Sequence, residues 1–464
     1  MNDFVDRRDE LEALRKAFEA PGASLFILYG RRRLGKTALL REFASSLPGV
    51  YYVADRLTEA DNLRFLSAAM AESLREPSLA LAEYPDWYAL LAAYDRVRPR
   101  AKSYLVIDEY QYLAQGQPAI SSILQKWWDT GQKHRNMLLV LCGSVTSLMY
   151  KETLSSSSPL YGRRTGQWLL EPLRHRDIVR FFPHLDAEEL ISMWALVGGV
   201  PHYARLAGPC GRFETALREL VLSRDGPLFA EAKYLLQEEV SAPNVYGSLL
   251  HAIGSGVSRV SELGSRLRLP ASHLTRYLTA LRELRIVARE VPITEEDPVK
   301  SKRGTYHLVD PFLRLWFGCV APFESLLEFG RIDEARRGMQ SRLDGHMAWA
   351  FERICRQYVE NRSHEIGGVR IGRYWDRNVE LDVVAVDEAG RPVLAGECKW
   401  SSRPATRDDL LLLQKKVQQI WPEHAARVRL AFFSRSGFDR SARSGSVGRG
   451  CWLLGPRDLG SGGV

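Results

Sequence analysis

Gly30-Arg31-Arg32-Arg33-Leu34-Gly35-Lys36-Thr37 fits the pattern G-x-x-x-x-G-K-[ST] at every fixed position. Ser24 to Tyr29 before it is an apolar run that reads as a buried strand, and Thr37 to Phe43 after it reads as a helix. A strand, a glycine-bounded loop and a helix are the context in which this pattern cradles phosphates. Backbone N–H groups of the loop and of the helix N-terminus point at the anion. The spacing assigns Gly30, Arg31, Arg32, Arg33, Leu34, Gly35, Lys36, Thr37 and Ala38 to nucleotide binding, ATP with Mg²⁺. Lys36 reaches the β/γ-phosphates, and the Thr37 hydroxyl holds the ion.

Downstream, Tyr104-Leu105-Val106-Ile107-Asp108-Glu109 is an apolar strand ending in two acids. Asp108 is expected to ligate Mg²⁺ and Glu109 to polarise the attacking water. Both motifs are expected on adjacent parallel strands. Met137 to Ser144 reads as a further strand. Its terminal Ser144 suits either a sensor of the γ-phosphate or a helix N-cap, Ser being favoured there. Arg163 and Arg164, behind a loop, are candidates for an arginine finger, in cis or across a subunit interface of a homo-oligomer, and equally suit a solvated turn.

At 464 residues the chain exceeds one core, and roughly two to four domains are expected. A hydrophobic fraction of 45% is ordinary for a globular protein. No apolar run reaches the ~18 residues of a membrane span, and Met1 to Arg8 lacks the apolar stretch of a signal peptide. The six scattered cysteines form no C-x-x-C pair, so no zinc or disulfide framework is expected. A cytoplasmic protein is the expectation. The net charge of +8 permits a polyanionic partner. Arginines gather at Arg31 to Arg33, at Arg163-Arg164 and between Arg427 and Arg449.

The ordered motifs resemble those of an archaeal and bacterial P-loop ATPase family related to STAND and origin-recognition-type AAA+ ATPases. Phe4-Val5-Asp6-Arg7-Arg8-Asp9-Glu10-Leu11 is similar to its leading motif, and Gly198-Gly199-Val200-Pro201-His202-Tyr203 to the start of its helical lid. The resemblance covers about the first 230 residues. It implies an ATPase core over 1–173, a lid over 174–240 and an N-terminal segment that helps bind adenine.

Residues 241–310 read as a winged helix. Leu274, Leu278, Leu281 and Leu284 recur at helical spacing, and Ile286 to Val291 then alternates like a strand. Ser272, His273, Thr275, Arg276 and Thr279 fall on the early outer face of the second helix, where such folds meet DNA. Lys300, Lys302 and Arg303 fall in the wing. Packing modules use the same fold, and that reading stays open.

Residues 311–464 hold a third constellation. Arg377 to Val386 and Val393 to Trp400 form a predicted hairpin that brings Glu380 and Asp382 toward Glu397 and Lys399. Clustered carboxylates bind Mg²⁺ or Mn²⁺ and activate water, and a lysine orients that water or stabilises phosphorane charge. The spacing Asp-x₁₄-Glu-x-Lys resembles the PD-(D/E)xK nuclease core, with Leu381 where that motif has Pro. The resemblance implies metal ligands at Asp382, Glu397, Glu352 and Glu380, with Lys399 catalytic and Gln414 accessory. The tail also resembles a domain of unknown function that follows such ATPases. The expected whole is an α/β protein coupling ATP hydrolysis to DNA processing. The alternative is a non-cleaving ATP switch whose tail binds DNA or a protein partner.

Overall fold

A computed structural model describes residues 7–131, 136–144, 149–240, 242–444 and 450–460. Phe4, Val5 and Asp6 of the leading motif, the end of the arginine run at Arg449, and residues 461–464 lie outside the described residues. The chain divides into two compact units, Met1–Pro172 and Leu173–Val464.

The first unit is a five-stranded parallel sheet with helices. Its elements are α1 (Arg8–Glu19), β1 (Ser24–Gly30), α2 (Lys36–Ala44), β2 (Gly49–Val53), α3 (Glu59–Leu74), α4 (Trp87–Val97), β3 (Ser103–Asp108), α5 (Tyr110–Gly116), α6 (Ile120–Gly131), β4 (Met137–Ser144) and β5 (Gly166–Leu170). The strand order is β2-β3-β4-β1-β5. β3 and β4 are buried along their whole length. Strands covered on both faces by helices carry continuous apolar runs rather than alternation, which is why Tyr104 to Ile107 and Met137 to Cys142 read as they do. Trp87, Tyr94 and Trp128 fill the core between sheet and helices. The order corrects one expectation. β1 and β3 are not neighbours, because β4 pairs with both and separates them.

The second unit holds three successive pieces. α7 (Ala187–Val197) and α8 (Pro201–Ala207) are joined at Gly198 and Gly199, both in the left-handed region. At Gly199 a Cβ would stand 2.0 Å from the Leu173 carbonyl oxygen, so only glycine fits. Next come α9 (Pro243–Gly254), α10 (Val260–Leu267), α11 (Ala271–Glu283) and the antiparallel pair β6 (Val287–Glu290) and β7 (Thr305–Leu308), a winged-helix arrangement. Leu274, Leu278, Leu281 and Leu284 are all buried, as their spacing requires.

The last piece is a mixed sheet of order β12-β11-β10-β9-β8. Helix α12 (Gln340–Asn361) precedes β8 (Arg370–Trp375), β9 (Glu380–Val386) and β10 (Pro392–Lys399), an antiparallel meander. α13 (Arg407–Ile420) then crosses over to β11 (Arg429–Ser434), which lies parallel to β10 and to β12 (Cys451–Leu454). Among the described residues no helix is long and apolar enough to cross a membrane.

Candidate functional site

The phosphate loop runs from the end of β1 to the start of α2. Gly35, at φ 90°, caps α2, and Arg33 is also left-handed at φ 67°. These turns aim the first helical N–H groups, which have no intrahelical acceptor, into the loop. Gly30 is required by close approach, since a Cβ there would lie 2.6 Å from the Leu170 carbonyl oxygen. Arg7 braces the loop by donating to the Leu34 carbonyl at 3.2 Å. Lys36 is buried, and its amine donates to the Gly30 and Arg31 carbonyls at 2.9 and 3.1 Å. Arg32 donates to the Tyr112 hydroxyl at 2.7 Å. Ala38 lies half-buried in the first turn of α2.

Asp108 is fully buried at the end of β3 and accepts three hydrogen bonds. The Thr37 hydroxyl and the Tyr51 phenol each donate to Oδ2 at 2.7 Å, and the Glu109 N–H donates to Oδ1 at 2.9 Å. Burial, reinforced by the Asp108 carboxylate, pushes the Tyr51 phenol far up, so it remains a donor. Glu109 turns left-handed at φ 54° before α5, and its carboxylate accepts from the Gln111 amide. Ser144 ends β4 in register with Gly30. Its buried hydroxyl has no partner among the described residues. A buried hydroxyl left open, level with the first residue of the phosphate loop, fits an incoming phosphate. Thr37 and Asp108, already in contact, fit a Mg²⁺ ion, which supplies charge neutralisation for a nucleotide triphosphate.

Arg163 and Arg164 stand elsewhere. The Arg163 guanidinium forks onto Asp129 at 2.8 and 2.9 Å and also donates to the Pro159 carbonyl. Arg164 donates to the Leu154 carbonyl at 3.2 Å and lies over the Tyr161 ring. Neither makes a described contact with the phosphate loop.

In the C-terminal sheet, Asp382 and Glu397 come from neighbouring strands and Glu352 from α12. Asp382 accepts the Cys398 N–H at 2.9 Å. Burial, with the Asp382 charge beside it, pushes the Glu352 carboxyl up to about 7. The same causes push Glu397 up to about 7, and burial with the Glu380 charge raises Asp382 itself. Basic groups surround these acids. Arg356 lies 3.7 Å from Glu352, Lys416 of α13 donates to Glu397 at 2.5 Å, and Arg373 binds Glu380.

Three expectations change here. Among the described residues no three His, Cys, Asp or Glu side chains stand close enough to hold a metal ion. The proposed ligands Asp382, Glu397, Glu352 and Glu380 share one electrostatic neighbourhood rather than one coordination sphere, because Arg356, Lys416 and Arg373 engage Glu352, Glu397 and Glu380. Lys399 is committed to Asp409 at 2.8 Å. The amine at Glu397 is that of Lys416, which sequence spacing had passed over in favour of Gln414. A lysine two turns into an amphipathic helix reads as a solvated face, and only the crossover of α13 over β10 reveals it.

The parallel order β2-β3-β4-β1-β5, with the loop after β1 and acids ending β3, defines a P-loop ATPase core. The profile of an ATPase domain predominantly from Archaea matches residues 4–205. A second, of archaeal and bacterial proteins of unknown function, matches residues 316–419. A protein of Methanocaldococcus jannaschii is 30% identical over 402 residues, 86% of this chain and 87% of the relative. The chain belongs to this family of archaeal-type P-loop ATPases with the appended C-terminal domain. A Walker-type ATPase of Pyrococcus abyssi shares its fold, with a TM-score of 0.53 at 21% identity over 68% of this chain and 96% of that one. The ORC2 protein of Aeropyrum pernix, solved with ADPNP and ADP, aligns over 70% of this chain and 95% of its own at a TM-score of 0.46 and 12% identity.

Proposed function

We propose that this protein is an ATP-driven DNA-processing enzyme of the cytoplasm. Hydrolysis at Lys36, Thr37, Asp108 and Glu109 drives a change of state, and the winged helix holds DNA. The C-terminal sheet cuts the DNA with a divalent ion whose binding draws Asp382, Glu397 and Glu352 together from their present separation, with Glu380 at the rim. Domains follow as a core over 1–173, a lid over 174–240, the winged helix over 241–310 and the nuclease-like tail over 311–464. Arg163 or Arg164 reaches a nucleotide only by leaving its present partner, which a neighbouring subunit could induce.

One observation carries the nuclease reading. Burial raises the proton affinity of three half-buried carboxyls from two adjacent strands and one helix, and the Asp382 charge adds to it at Glu352 and Glu397, a pattern typical of sites built for catalysis or for a cation. Exposure supports DNA contact. Ser272, His273, Thr275, Arg276 and Thr279 all face solvent on α11, as do Lys300, Lys302 and Arg303 between β6 and β7.

A second reading, a non-cleaving ATP switch, is favoured by the commitment of Lys399 to Asp409 and by the arginines already neutralising the acids. One experiment separates them. Wild type and Asp382→Ala are incubated with linear, circular and branched DNA in Mg²⁺ or Mn²⁺, with and without ATP. Cleavage by wild type, lost in Asp382→Ala while ATP turnover persists, supports the enzyme. Intact DNA in every condition leaves the switch.

A further inference from the structure

Glu109 sits on a left-handed residue, so its side chain is not aimed by the strand that precedes it. Something else must fix it. The Gln111 amide donates to Glu109 Oε2. Gln111 is 1% exposed, on the first turn of α5. Its Oε1 is buried and has no hydrogen-bond partner among the described residues. That oxygen lies 2.3 Å from where a Cβ would stand on Gly143, the residue before Ser144 on β4. The seat of Gln111 therefore exists only because position 143 has no side chain.

We propose that Gln111 is a positioning residue for ATP hydrolysis, clamped by Gly143 of β4 and holding the Glu109 carboxylate on the attacking water. The idea rests on hydrolysis at this site. A buried glutamine with one end on a carboxylate and the other against the neighbouring strand converts the position of β4 into the aim of Glu109. An unsatisfied buried acceptor costs free energy, and such cost persists where function requires it.

The test measures nucleotide affinity, kcat and KM of the full chain. Gln111→Glu keeps the volume but replaces the donor by a like charge, and Gln111→Met keeps the packing but removes both polar ends. Each is expected to lower kcat at least tenfold while nucleotide affinity changes less than threefold. Gly143→Ala, which displaces Oε1 without touching Gln111 chemically, should lower kcat in the same way. On a Glu109→Gln background, Gln111→Met should have no further effect, because residues acting as a unit are non-additive. Wild-type kcat in Gln111→Met, with wild-type turnover established, overturns the proposal alone. So does a full additional loss on the Glu109→Gln background, which marks an independent structural role. No turnover by wild type overturns the hydrolytic reading and this inference together.

Discussion

Asp108 accepts from Thr37, Tyr51 and its own successor, and each donor has a different legibility. Thr37 was readable because phosphate chemistry fixes its spacing from Gly30 and Gly35. Tyr51 was not, since a tyrosine on a short strand reads as core and nothing in its neighbours betrays a carboxylate across the sheet. Gln111 was hidden for the same reason: two residues beyond a recognised acid, it looks like an ordinary helix residue. Lys36→Ala is expected to abolish nucleotide binding, because the amine that replaces loop carbonyls by phosphates is gone. Glu109→Gln should retain binding and slow turnover by about two orders of magnitude or more, the range of a lost general base. Titration calorimetry with ATP and a phosphate-release assay check both. Wild-type turnover by Glu109→Gln would remove that residue from the mechanism.

Among the elements, the winged helix was the most legible part of the second unit, because Leu274, Leu278 and Leu281 give one unbroken buried stripe. The short strands were less so. β2 and β5 carry five residues each and β12 four, too few for alternation to stand out from loop sequence. The neighbour relation of β1 and β3 was misjudged, since parallel order is set by crossover connections rather than by residues within either strand. Backbone constraints make a sharper forecast. Gly199→Ala must relieve both a left-handed φ of 73° and an approach of 2.0 Å to Leu173, across a contact where Leu173 N–H donates to the Gly199 carbonyl at 2.8 Å. The loss should exceed the roughly 1–2 kcal/mol of the left-handed conformation alone. Thermal unfolding should show the second unit melting several degrees lower. An unchanged melting curve would mean that the joint between α7 and α8 is softer than its geometry implies.

At the scale of the whole molecule, acid sensitivity follows from two buried histidines of the second unit. Burial pushes His175 down to about 4 and His346 down to about 3. His346 is held by the Ala195 carbonyl at 2.8 Å. The unfolded chain binds protons near pH 6.5 that the folded chain refuses until much lower pH. Stability is therefore full above about pH 6.5 and lost as pH falls toward 4. For His175 the full window corresponds to something on the order of 3 kcal/mol. Urea unfolding at pH 7 and pH 4.5 should show a smaller difference for His175→Leu than for wild type. An identical pH slope would show that other groups govern the acid limb.

The position of β4 has a further consequence, for the order of assembly during synthesis. Both phosphate motifs are complete once residue 109 has been made, yet the strand that bridges them begins at Met137. A nascent chain emerging N-terminus first holds the loop and its acids without the strand that brings them together. Until β4 inserts, β3 has one unpaired edge and β1, whose other neighbour β5 follows β4 in the chain, has two. The site cannot be captured half-built by its own ligand. It closes only when a segment made after both motifs takes the central place in the sheet.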